Sequence, residues 1–298
     1  MVDGATMPIW LRRFAQISFI ILFSSWLAVI PAVMCIYLLC NPDSLSPEMC
    51  PLPYSAAICK LAFGENDPGY IKSLSRVSTF YLSRGEYELA KDTSSELILL
   101  IEKGNTQSLP SRQQLSGLNN NALACSALGA IIDINASTWD LNRQGSSESY
   151  YNEAKARFQQ LLEYQNTTSE LTQWEEALVF SNIADLYKHW KKFEEAEKWY
   201  TKAVALNESF PDETKTEFGL ILYNYGMLCL AQNQPTKAVS LLDQARNVLS
   251  TQILEGSFVK AKEEIEYMLT QINQGKDTTQ FNQRNQYIFF VGFVQKSV

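Results

Sequence analysis

Phe180-Ser181-Asn182-Ile183-Ala184-Asp185-Leu186-Tyr187, then Phe193-Glu194-Glu195-Ala196, then Tyr200 and Ala203, is the stretch that decides the fold. Its apolar residues recur at three- and four-residue intervals, which places them on one face of each of two successive helices. Ala184 and Ala196 are small enough to let two antiparallel helices approach closely. Phe180, Tyr187 and Tyr200 are large enough to fill the space around that crossing.

Working outward, the same arrangement returns at Leu222, Tyr225, Gly226, Cys229, Ala238, Leu242 and Ala245, with Ala238 standing 42 positions after Ala196. Ala154 stands 42 positions before Ala196, and Phe158 follows it as Tyr200 follows Ala196. An earlier copy runs Leu74, Val77, Ser78, Tyr81 and then Gly85-Glu86-Tyr87-Glu88-Leu89-Ala90. The second copy is irregular. Its first helix is expected over Leu115 to Ile134, with Leu128-Gly129 in the close-packing place, followed by a polar insertion from Asn135 to Ser147. Gly256 to Gln274 reads as a one-faced amphipathic helix able to close a stack.

These small residues on paired helices resemble the tetratricopeptide repeat, over roughly residues 69 to 250. The commonest period of that family is about 34 residues. A 42-residue spacing, with the Asn-Ile-Ala-x-Leu-Tyr string at Asn182 to Tyr187, is similar to the longer repeats of kinesin light chains. The implied fold is all-α: a solenoid of about four helix pairs with a capping helix over residues 69–274.

The repeats do not begin the chain. Phe14 to Cys40 contains no charged residue, and its 27 positions exceed what a helix needs to cross a hydrocarbon core of roughly 30 Å. Residues 14–40 are therefore expected to be one transmembrane helix after a short flank, 1–13. A cleaved signal peptide is the competing reading, with a weak cleavage match at Ile30-Pro31-Ala32. Arg12 and Arg13 precede the run, and no Lys or Arg follows it until Lys60, which places the C-terminal domain on the non-cytoplasmic or non-matrix side. Residues 41–68, with five prolines, read as a juxtamembrane linker. Cys50 and Cys59 lie there and are either a disulfide in an oxidising space or two free thiols. Residues 275–298 are a polar segment ending in an apolar tail at 287–294, too short to span a bilayer.

Net charge is -7 with one histidine, His189, and six cysteines without a CxxC pair. Such a balance disfavours phosphate-driven nucleic-acid binding, which needs clustered Lys and Arg. No phosphate loop, nucleophile elbow or metal-ligand cluster occurs, so no enzyme activity, cofactor or metal is expected. Glu194-Glu195-Glu197 and Glu263-Glu264-Glu266 lie beside lysines as solvated faces. His189 reads as a groove-lip or turn residue, and Cys125 and Cys229 as core thiols.

Function is then expected in a binding surface. In the resembling family the first helix of each pair lines a concave groove. Aligning the units on Ala90, Ala154, Ala196 and Ala238 assigns to that groove Leu178, Ser181, Asn182, Asp185 and Lys188 from the third unit. The fourth contributes Leu220, Tyr223, Asn224, Met227 and Leu230, and the first contributes Lys72, Ser75, Arg76 and Thr79. Asn182 and Asn224 hold the same place in successive repeats, and an amide both donates and accepts. The likeness to kinesin light chains implies contact with an extended peptide; bonding to a neighbouring helix is the other reading. Ala127, Asn182 and Asn224 stand where the chaperone-binding members carry basic residues, which argues against binding of chaperone C-termini. The expected molecule is an anchored adaptor for protein segments, or a structural or assembly subunit of a membrane complex. Its architecture is similar to the fungal repeat adaptor of the mitochondrial inner-membrane AAA protease, which favours the mitochondrial inner membrane. No diagnostic motif ties the chain to that adaptor. A bacterial periplasm, a thylakoid lumen and the secretory pathway are the other compartments compatible with this topology, the last through sequons at Asn135, Asn166 and Asn207.

Overall fold

The computed structural model describes residues 56–57, 59–61, 64–103, 111–135, 141–206, 209–251 and 257–276. The expected anchor (14–40) and apolar tail (287–294) lie outside them. Among the described residues, no helix is long and apolar enough to cross a membrane. Two compact units divide the chain, Met1–Ser73 and Leu74–Val298.

In the first unit, Ala56, Cys59, Tyr70 and Ile71 are buried. The Lys60 ammonium lies 5.5 Å from the centre of the Tyr70 ring. Cys59 is disulfide-bonded; Cys50, with which one of the two readings paired it, lies outside the described residues. Helix α1 (Pro68–Ser83) starts here. Asp67 Oδ1 accepts the Gly69 and Tyr70 N–H groups at 2.8 and 3.3 Å, and Pro68, which has no N–H to satisfy, occupies the first helical position.

The second unit holds the rest of α1 and then α2 (Tyr87–Glu102), α3 (Ser111–Asn135), α4 (Leu141–Thr168), α5 (Gln173–His189), α6 (Phe193–Ala205), α7 (Lys215–Ala231), α8 (Pro235–Ser250) and α9 (Ser257–Asn273). They pack in a tetratricopeptide-like antiparallel arrangement. α3 lies on α4, α5 on α6 and α7 on α8, while α3, α5, α7 and α9 also touch in succession.

The small residues sit where the helices cross. Ala184 and Ala196 are both fully buried. A Cβ added at Gly129 would lie 2.7 Å from Tyr151 Cε1, so only glycine admits that ring. Two apolar cores result, one around Tyr151, Phe158 and Leu186, the other around Tyr200, Ile221 and Leu242; Tyr187 and Trp199 pack against both. Ala261, Ile265, Met268 and Leu269 of α9 close the second core, as the amphipathic pattern required.

One boundary differs from expectation. The second unit's insertion is not irregular throughout to Ser147, because α4 already begins at Leu141. The amphipathic run from Tyr150 nucleates a helix, and the Leu-Asn-Arg-Gln stretch before it extends the helix at little cost despite Gly145.

The turns inside the repeats share one form. At the end of α5, Lys192 N–H donates to Tyr187 O (2.9 Å) and Lys191 N–H to Lys188 O (3.0 Å). The same two-bond cap recurs after α1 at Gly85, after α7 at Asn233 and after α9 at Gly275. The residue at its centre is left-handed each time: φ is +74° at Gly85, +59° at Lys191, +58° at Asn233 and +70° at Gly275.

Candidate functional site

The first helices of the pairs are joined by a seam of buried polar groups. Three consecutive asparagines on α3 reach three different helices, because each residue turns the helix by about 100°. Asn119 Oδ1 accepts the Asn182 amide from α5 at 3.2 Å. The Asn120 amide donates to Ser78 Oγ and Thr79 Oγ1 of α1 at 2.8 and 2.9 Å. The Asn121 amide donates to Ser94 Oγ and Ser95 Oγ of α2 at 3.1 and 2.9 Å. Ser75 Oγ adds a bond to Ser116 Oγ at 2.8 Å.

Asp185 is the hub of the next step. Its Oδ1 accepts the Tyr200 hydroxyl and the Lys188 ammonium, each at 2.6 Å, and its Oδ2 accepts the Asn224 amide at 3.1 Å. With 2% of its surface exposed, this carboxylate ties α5 to α6 and α7. The Tyr223 hydroxyl donates to Glu264 of α9, carrying the seam to the capping helix. Beneath it, Tyr200 stacks on Tyr225 with ring centres 5.3 Å apart. Burial and the Asp185 charge push the Tyr200 hydroxyl pKa well up, so it stays a donor.

The residues expected in the groove therefore divide. Asn182, Asp185 and Asn224 have side chains engaged between helices, and Ser181 is fully buried beside Asn182. Arg76 is partly buried on α1, in the first repeat. Lys188, Tyr223, Asn224 and Met227 come together at a cleft of about 360 Å³ formed where α3, α5 and α7 end.

Other residues of that cleft were not assigned to the groove from sequence. Asp133 and Ile134 come from the end of α3, and Lys191 and Phe193 from the turn into α6. Ile134 is 49% exposed, an open apolar surface at the mouth. Tyr151 forms part of the wall, its hydroxyl donating to Asp133 Oδ2 at 2.9 Å and its ring stacked 5.6 Å from Trp190. These residues follow the close-packing place in each repeat, and the 42-residue register, which sets Lys191 against Asn233, is the signal that locates them. The sole histidine, His189, lines the same cleft. Burial and the adjacent Lys188 ammonium lower its pKa to about 3, so the imidazole is neutral near physiological pH.

The described thiols outside the first unit are inaccessible: burial raises Cys125 to about 12 and Cys229 to about 11.

A search of curated proteins found no match to this chain. The family model of the tetratricopeptide repeat matches residues 175–251, the span of α5 to α8, and that part of the chain carries the tetratricopeptide repeat.

Proposed function

We propose that this protein is a membrane-anchored scaffold that holds an extended segment of a partner protein in the cleft between α3, α5 and α7. The observation that carries the reading is the cleft itself. It lies in a repeat type associated with protein binding, and it combines an exposed apolar residue, Ile134, with Phe193 and Met227 and with the Lys191 side chain. The uncharged run 14–40 supports the anchor, and the Arg12-Arg13 flank supports a domain on the non-cytoplasmic or non-matrix side. A mitochondrial inner-membrane complex such as the AAA protease is the assembly we favour, on architecture alone.

The test is quantitative capture with full-length protein in detergent, comparing wild type with Ile134→Asp. Because Ile134 is half exposed, the substitution changes the cleft without opening the core. Loss of the same partner band by about tenfold supports the scaffold; undiminished capture refutes use of this cleft. A second reading, a structural or assembly subunit, is favoured by the polar seam, which keeps Asn182, Asp185 and Asn224 inside the stack. It predicts a large complex that forms normally with Ile134→Asp and is lost on deletion of the protein.

A further inference from the structure

The repeated turn contains one residue that does not suit it. Gly85, Asn233 and Gly275 occupy the left-handed centre of the cap in three places. Glycine carries no Cβ penalty there, and asparagine tolerates the region better than other side chains. Lys191 occupies the fourth such position at φ +59°, a region that a side chain with a Cβ and no local amide rarely adopts. It is also the copy of this turn whose central residue lines the cleft. Its side chain is exposed, and no carboxylate among the described residues pairs with its ammonium. The other lysine of the cleft, Lys188, is engaged by Asp185 at 2.6 Å.

Resting on the scaffold reading above, we propose that Lys191 selects the partner: the cleft takes a segment in which an acidic side chain lies next to a large apolar one. The apolar chain meets Ile134, Phe193 and Met227, while the carboxylate meets the Lys191 ammonium at the turn. Asp133, on the α3 wall, accepts the Tyr151 hydroxyl. Its charge repels a second acid and sets the direction in which the segment lies.

The experiment uses full-length protein in detergent and two peptide libraries of equal length with the same apolar positions. One carries Glu beside each apolar residue and the other carries Gln. Wild type is expected to retain the Glu library about twofold to fivefold more tightly, a preference that shrinks as salt is raised. Lys191→Asn is expected to bind both libraries alike, with a thermal midpoint equal to wild type or about 2 °C higher. Equal binding of the two libraries by wild type overturns the proposal and leaves the cleft intact as a binding site. A Glu preference that survives Lys191→Asn overturns it as well, as does a midpoint that falls by several degrees, because the lysine would then serve the fold. Failure of wild type to bind either library removes the scaffold reading and this inference together.

Discussion

Replacing Asp185 with alanine removes the acceptor shared by three helices. Two of its donors are shielded from water: the Tyr200 hydroxyl belongs to a fully buried residue and the Asn224 amide to one that is 3% exposed. The Lys188 side chain is 19% exposed and can turn its ammonium to water. A buried donor left without an acceptor costs about 1 to 3 kcal/mol. Two of them, with some relaxation of the tyrosine, give an expected loss of about 3 kcal/mol. Lysine re-solvation keeps the figure below the value for an isolated buried ion pair. Because the Asn224 bond joins the third repeat to the fourth while the Tyr200 and Lys188 bonds lie within the third, part of the loss falls on the coupling between repeats, so the unfolding transition should broaden as it shifts. Urea unfolding of the full chain in detergent, followed by fluorescence of Trp174, Trp190 and Trp199, measures both effects. Asp185→Asn keeps an oxygen for Tyr200 and should lose roughly half as much. Asp243→Ala, which breaks an exposed Arg246 pair on α8, should change stability by under about 0.5 kcal/mol. A loss below about 1 kcal/mol for Asp185→Ala, or one equal to that of Asp243→Ala, would show that the seam does not hold the repeats together.

Two further outcomes follow from particular contacts. Gly129→Ala drives a methyl group into the Tyr151 ring, 2.7 Å from Cε1, and should cost about 1 to 3 kcal/mol by chemical denaturation. Combined with Tyr151→Leu, the glycine substitution should cost far less than it does alone, and strict additivity would refute the steric account. His189 has a folded pKa of about 3 against an ordinary value of 6.5. Between those values the unfolded chain takes up a proton that the folded chain refuses, so the contribution of His189 is complete above the upper value and declines as pH falls. His189→Gln should remove up to about 2 kcal/mol of the stability lost between about pH 6.5 and pH 4.5. Parallel urea midpoints at the two pH values check this, and an unchanged difference would contradict it.

The helices were legible because their apolar residues repeat at helical spacing and the small residues mark the crossings. Ala184, Ala196 and Ala238 are fully buried, and α9 ends the described stack where its one-faced pattern indicated. The start of α4 was less legible, since Leu141 to Ser147 carries no apolar periodicity and is helical through continuity with the segment after it. The site was harder. Register identifies the side of α5 and α7 on which Asn182 and Asn224 stand, but a polar residue facing the concave side can reach either a ligand or the adjacent helix. The choice depends on interhelical distance, which sequence does not contain. Here the adjacent helices are close enough for both amides to be used within the stack. The Asn119-Asn120-Asn121 run carried the matching signal, three amides in the middle of an otherwise apolar helix. Lys191 was legible only by comparing its turn with its three sister turns.

A photo-crosslinking residue placed at position 134 in the full-length protein tests most directly whether a partner segment lies in the cleft. The same probe at Leu89 on α2 and Tyr267 on α9, which are 47% and 44% exposed, serves as the comparison. Irradiation of intact membranes should give discrete protein adducts from position 134 and few from the other two. Adducts absent from 134, or equally abundant at all three positions, would contradict a partner held between α3, α5 and α7.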